Sequence, residues 1–100
     1  MGLSYQITHN LIIMSKYKIG DKVRIKSIEW YNQNKDSFGL VLSDNDTNVF
    51  CYNMQKHCGE ELTVRHISEN GRYVLTDNEG SGTRELYMWS WSEWMFEERK

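Results

Sequence analysis

Proline is absent from these 100 residues, and no low-complexity run interrupts them. No Pro-rich linker therefore divides the chain, whose length matches one domain. Cysteine is scarce. Cys51 and Cys58 are the only two, where a secreted mini-domain held by disulfides would use more. Reduced thiols in a cytosolic protein are the expectation. An excess of charge is also missing: Lys and Arg number 12, Asp and Glu 14, for a formal net charge of −2. The chain as a whole thus lacks the electrostatic footprint of a duplex nucleic-acid binder. No apolar run approaches the roughly 20 residues that span a bilayer. The longest, Leu11-Ile12-Ile13-Met14, is too short and too weakly flanked by positive charge for a signal peptide. Gln6 stands where myristoylation favours Ser or Thr. The expected location is the cytoplasm.

Aromatic residues are what the chain does have: four Trp, six Tyr and three Phe. A domain of this size buries only about 60–65% of the surface its unfolded chain exposes, so its core must be dense. A buried Trp removes on the order of 150–250 Å² from water, about 4–6 kcal/mol gross before entropy is subtracted. Two or three such residues suffice for a core.

Residues 1–15 differ from the rest and are either an extension upstream of a domain that begins near Lys16 or an extra strand carrying Tyr5, Ile7, Leu11 and Ile13. From Tyr17 the pattern is clearer. A turn at Tyr17–Asp21 leads into Lys22–Ile28, where Val23 and Ile25 alternate with Lys22, Arg24 and Lys26, the period-two pattern of a half-buried strand. Trp30 and Tyr31 then open a polar, Asn-rich stretch read as a long loop. Phe38–Leu42 is a second strand, and Ser43–Asn48 a loop of residues that hydrogen-bond their own backbone. Phe50–His57 is a helical turn stopped by Gly59. Leu62–Ile67 and Arg72–Thr76 are strands joined at Asn70-Gly71, a tight-turn signal. Gly, Asp and Asn between Asp77 and Thr83 make another turn into a fifth strand, Leu86–Trp91, and Ser92 caps a terminal helical turn. The fold class expected is mainly β, a small barrel of about five short antiparallel strands over residues 16–98 with a helical turn near 50–58.

The opening run Gly20-Asp21-Lys22-Val23-Arg24-Ile25 resembles the entry strand of SH3-like, tudor-like and KOW-like barrels. Three segments taken together carry a more specific resemblance. They are Tyr17-x-Ile19-Gly20-Asp21-Lys22-Val23-Arg24-Ile25, Met54-x-Lys56-His57-Cys58-Gly59, and Trp89 through Glu97, which contains W-S-x-x-M-F-E. They are similar to a family of small uncharacterised phage, prophage and gut-bacterial proteins. The resemblance implies an SH3-like barrel, a phage or mobile-element origin and a bacterial host cell. It implies no activity.

No chemistry-bearing constellation emerges. Cys51, His57, Cys58 and His66 are spaced C-x5-H-C-x7-H, unlike the two close pairs of a structural zinc site, and adjacent His57 and Cys58 on a helical turn point about 100° apart. No nucleophile elbow occurs, and Gly80-Ser81-Gly82 lacks the Lys and helix of a phosphate loop. The expectation is a non-enzyme without cofactor or metal. In Leu86–Trp91, strand alternation puts Tyr87, Trp89 and Trp91 on one face and Leu86, Met88 and Ser90 on the other. One face fills the core and the other is a binding patch, unless residues 1–15 or Trp94-Met95-Phe96 cover it. At least one of Trp89 and Trp91 should be buried, with Tyr87 on the same face. The candidate binding surface is Trp30, Tyr31, Tyr87, Trp89, Trp91 and Trp94. Lys22, Arg24 and Lys26 form a candidate basic face without an interleaved acid. The leading expectation is a protein-binding module that occupies a host or phage protein, such as a host-defence component. The alternatives are a weak, salt-sensitive single-stranded nucleic-acid binder using the basic face with Trp30 and Tyr31, and a structural or self-associating phage protein.

Overall fold

A computed structural model of the chain describes residues 16–77 and 84–98. The expectations for residues 1–15, and most of those for the turn at 77–83, lie outside the described residues. The elements in order are β1 (Lys22–Arg24), α1 (Ile28–Asn34), β2 (Val41–Ser43), β3 (Asp46–Phe50), a 3-10 helix (Tyr52–His57), β4 (Glu61–Ile67), β5 (Tyr73–Thr76), α2 (Arg84–Tyr87) and a second 3-10 helix (Glu93–Met95).

Strands β1, β4 and β5 form an antiparallel sheet in that order, and β2 pairs with β3 in a second, two-stranded sheet. The β4–β5 hairpin turns at Asn70-Gly71, as the sequence signal requires: Gly71 has φ +82° and the Ser68 carbonyl accepts its N–H at 2.9 Å. The last described segment joins the two outer strands. Trp91 and Tyr73 exchange both backbone hydrogen bonds at 2.8 Å, which adds the segment to the free edge of β5. Four residues on, the Met95 carbonyl accepts from Lys26 N–H at 3.0 Å and Glu97 N–H donates to the Arg24 carbonyl at 2.7 Å, so Phe96 bridges Ile25 beyond β1. The sheet thereby closes on itself. The result is a mainly β fold of five short antiparallel strands, small and barrel-like.

Alternation places the core where the pattern asks. Val23 and Ile25 from the β1 side, Leu62 and Val64 of β4, and Tyr73 and Leu75 of β5 all face inward and are buried. Phe50, Met54, Trp91, Met95 and Phe96 complete the cluster. Both 3-10 helices start alike. The N–H of the residue before the helix, Cys51 or Ser92, donates to the Sδ of a buried methionine three positions on, Met54 at 3.2 Å and Met95 at 3.4 Å.

Three local expectations are corrected. The strand through Ile28 stops early, because Ser27 Oγ accepts the Trp30 N–H at 3.1 Å and caps a helix exactly where a long loop was expected. Of the loop expected at Ser43–Asn48, only Asp44-Asn45 turn: Ser43 ends β2, and β3 begins at Asp46. Leu86–Trp91 is no strand: α2 ends at Tyr87, and Trp91 alone makes a bridge. The fifth strand is therefore Asp46–Phe50.

Candidate interaction surface

Loss of the 86–91 strand dissolves the division of its residues by parity. Leu86 is buried but Met88 is 75% exposed, and Trp91 is buried while Tyr87 faces solvent rather than sharing its side. Tyr31 and Trp91 are fully buried core residues, so neither presents an exposed ring. Trp30, Trp89 and Trp94 are half-buried and packed against that core. Trp30 meets Phe50 edge-on at 5.3 Å and Trp94 at 6.3 Å, while Trp89 lies against His57 and Trp91. Tyr87 carries the Arg65 guanidinium 4.4 Å above its ring.

The basic face does not assemble as a single row. Lys22 and Arg24 project from the outer side of β1, but the residue paired with Arg24 across β4 is Glu61, and their side chains approach at 3.9 Å. Arg24 also donates to the Gly59 carbonyl at 2.7 Å. Lys26 leaves the strand, and its ammonium lies 5.4 Å from the Trp30 ring centroid. An acid from the neighbouring strand, invisible in the spacing of β1 alone, thus interrupts the face.

The structure brings forward two aromatics that sequence reasoning assigned elsewhere, Phe38 and Tyr52. After α1 the chain turns tightly. Asp36 Oδ1 accepts the N–H groups of Phe38 at 2.9 Å and Leu40 at 3.0 Å, and the Leu40 carbonyl accepts Asp36 N–H at 2.8 Å. This carboxylate-pinned loop holds Phe38 81% exposed at its tip. Tyr52, 60% exposed, approaches from the start of the first 3-10 helix. Between them lies Gly39, whose carbonyl accepts the Tyr31 hydroxyl at 2.7 Å. The rings and the loop enclose a shallow depression of about 230 Å³, with Lys35 and Asp36 on its rim. The Lys35 ammonium sits 5.4 Å from the Tyr31 ring centroid. The sequence signal was Asp36-Ser37-Phe38-Gly39, a side-chain-pinned turn before a glycine, which the apolar run Phe38–Leu42 masks.

Gly39 has φ +81°, and a Cβ there would stand 3.1 Å from Tyr52 Cδ1 and 3.2 Å from the Tyr31 hydroxyl oxygen. Gly39→Ala is expected to destabilise the fold by about 1–3 kcal/mol through backbone strain and crowding. Urea unfolding checks this; a loss below about 0.5 kcal/mol would contradict the tight packing of Tyr52 on the loop.

A larger groove of about 580 Å³ runs between the β4–β5 turn and the second 3-10 helix. Its wall is a polar junction centred on Asp46. The carboxylate accepts from Ser92 Oγ at 2.5 Å, Trp94 Nε1 at 3.0 Å, Arg72 Nη2 at 3.0 Å and the Asn48 N–H at 3.2 Å. Burial pushes this carboxyl up, but the hydrogen bonds outweigh it and hold the group far below the ordinary carboxylate range. Glu93 Oε2 accepts from the Tyr73 hydroxyl at 2.9 Å and from Lys16 N–H at 3.1 Å. These polar groups are satisfied by one another and clamp the second 3-10 helix to β3 and β5.

Cys51 and Cys58 are half-buried, whereas His66 is exposed on β4. Burial, with a smaller contribution from Glu29, pushes the Cys58 thiol up to about 11, so it stays protonated at neutral pH. His57 Nδ1 is 2.7 Å from Glu60 Oε1, and its Nε2 is buried without a partner among the described residues. Among those residues no group of three or more His, Cys, Asp or Glu could hold a metal ion. No described helix is long and apolar enough to cross a membrane. In comparisons with protein families, curated proteins and solved structures, the chain matches none of them.

Proposed function

We propose that the domain is a non-catalytic protein-binding module and that the Phe38–Tyr52 depression is its contact surface. The observation that carries this reading is the pair of large aromatics held in solvent by a pinned loop. Aromatics are enriched at the energetic centres of protein interfaces, and a rigid loop lowers the ordering cost of using them. Phe38 lies outside the core, so selection for stability does not explain a phenylalanine at a loop tip. The resemblance of the chain's motifs to small phage and prophage proteins adds the further reading that the bound protein belongs to a bacterial host and that occupying it is the biological effect.

Phe38→Ala is expected to leave the melting temperature within about 2–3 °C of wild type, as exposed positions do, and Tyr52→Ala to lower it somewhat more because its ring packs on the Gly39 loop, while both abolish recovery of the partner in pull-downs from a bacterial lysate. Met88→Ala, exposed elsewhere, serves as the control. Recovery of the same proteins by wild type and both aromatic variants would overturn the assignment of the surface. Submicromolar binding of a labelled single-stranded oligonucleotide at physiological salt, lost in Lys22→Ala, would replace the reading with the nucleic-acid one.

A further inference from the structure

The segment that closes the barrel, residues 90–97, is built like a ligand of the rest of the fold. Its short-range geometry is its own: Met95 N–H donates to the Ser92 carbonyl at 2.9 Å and Phe96 N–H to the Glu93 carbonyl at 3.0 Å. What holds it in place comes from far along the chain. Trp91 and Tyr73 exchange two backbone hydrogen bonds, Lys26 N–H donates to the Met95 carbonyl, and Glu97 N–H donates to the Arg24 carbonyl. Trp91 seats against Phe50 and His57, and Phe96 packs on Tyr17 and Tyr73 at centroid distances of 5.5 and 5.6 Å. The Asn48 amide donates to the Ser90 carbonyl at 2.8 Å, and Asp46 accepts from Ser92 and Trp94. The seat is thus made by residues that precede β5 or belong to it, and its complement is on view: the buried side chains of Trp91, Met95 and Phe96. Only Met88, Trp89 and Ser90 join this segment to α2, whose Leu86 is buried. Met88 and Ser90 are exposed, and the Trp89 N–H reaches the Leu86 carbonyl at 3.4 Å, long for a backbone hydrogen bond.

We propose that this segment is an exchangeable arm, and that two copies of the chain form a two-fold dimer in which the arm of each occupies the seat of the other. The contacts named above form equally in both arrangements, so the choice is whether an arm docks on its own body or on a neighbour's. A short tether corresponds to an effective concentration in the millimolar range. Exchange therefore competes while the arm docks for the first time, at chain concentrations approaching about 1 mM. Once docked, an arm leaves only when Trp91, Met95 and Phe96 come out of the core together, so each arrangement persists. A three-residue hinge spans only about 10 Å, which places the two bodies side by side with α2 and β5 of each at the junction.

A disulfide reports which chain supplies the arm. Positions 24 and 97 flank the Ile25–Phe96 bridge, and both side chains are exposed. Antiparallel neighbours lie within disulfide reach. Full-length Arg24→Cys and Glu97→Cys are mixed in urea, refolded together at about 1 mM or about 10 μM, and oxidised. The expected product is a bond from position 24 of one chain to position 97 of the other, identified by mass spectrometry of the linked peptides. Its yield should fall at least about 10-fold at the lower concentration. The same variants refolded separately and then mixed should give none, because every seat is already filled. Wild type refolded at about 1 mM should contain a dimer by size exclusion with light scattering, and that dimer should survive dilution to about 10 μM. A wild type that is monomeric after both treatments would overturn the proposal, as would a dimer that dissociates at once on dilution. A persistent wild-type dimer from folded variants that form no 24–97 bond would overturn it too, since intact surfaces would then be associating. Equal yields from the joint and separate refolding would mark random collision of thiols and count equally against it. Circular dichroism establishes that each variant is folded; should either fail, the persistence of the wild-type dimer decides.

Discussion

Replacing Trp91 by alanine is expected to cost about 3–5 kcal/mol, a large share of the roughly 5–15 kcal/mol that holds a small domain together. Trp91 has no exposed surface, and its ring packs against those of Phe50, His57 and Trp89 at centroid distances of 6.0, 6.1 and 6.0 Å. Its backbone also makes the two hydrogen bonds that fasten the last segment to β5. Truncation therefore leaves a cavity beside the joint that closes the barrel. Trp91→Phe separates packing from polarity. The indole Nε1 is buried with no hydrogen-bond partner among the described residues, and removing an unsatisfied donor recovers about 1–3 kcal/mol of desolvation cost. The phenylalanine variant should accordingly lose less than about 2 kcal/mol despite its smaller ring. Urea titrations followed by circular dichroism measure both. An alanine variant within about 1 kcal/mol of wild type would mean that Trp91 is not the core residue described.

Asp46→Ala is expected to destabilise by about 2–4 kcal/mol, because it leaves Ser92, Trp94 and Arg72 without the acceptor around which they converge. The value is kept below that of a fully buried pair because the Asp46 side chain is one-quarter exposed. The same carboxylate makes stability depend on pH. Its folded-state pKa lies below the ordinary 3.8, so its contribution is complete above the unfolded value and is lost as pH falls toward the folded one. The urea midpoint of wild type should fall between about pH 5 and pH 2. In Asp46→Asn the fall over that window should be shallower, with the two proteins converging at the acid end. Parallel pH profiles for the two would show that the junction is not held by the ionised carboxylate.

The β4–β5 hairpin was fully legible in the sequence because two local signals agreed there: Asn70-Gly71 supplies the turn, and Val64, Tyr73 and Leu75 supply inward-facing apolar positions. Both 3-10 helices were also visible, each with an apolar residue on its inner side and a Gly or a capping Ser at one end. Helix α1 was missed because it buries only Tyr31, so its apolar periodicity is faint, and its main mark is the Ser27 cap. The run from Leu86 to Trp91 misled for the opposite reason. Its alternating aromatics are real, but a short helix rotates successive side chains by about 100°, so Leu86 turns inward while Tyr87 and Met88 do not. The contact surface was hidden by a different effect. Phe38 reads as the start of a buried strand until Asp36 is seen to bind the N–H groups two and four residues on, a local contact that apolarity alone does not encode. Glu61 beside Arg24 was hidden for a different reason, since strand pairing brings together residues that are distant along the chain.

The closing bridges at Trp91–Tyr73 and Phe96–Ile25 also set an order of events for folding. Ile25 lies near the start of the described chain and Phe96 near its end, so the contact that completes the barrel spans almost its whole length. The β4–β5 and β2–β3 hairpins can form from neighbouring residues, within about 1–10 μs for such elements. Until the final segment docks, however, β5 keeps an open edge, and the pocket for Trp91 and Phe96 stands empty and apolar. During synthesis that state lasts until residues 91–96 clear the ribosome. An unpaired strand edge beside an unfilled hydrophobic cleft is the species most prone to pairing with another chain.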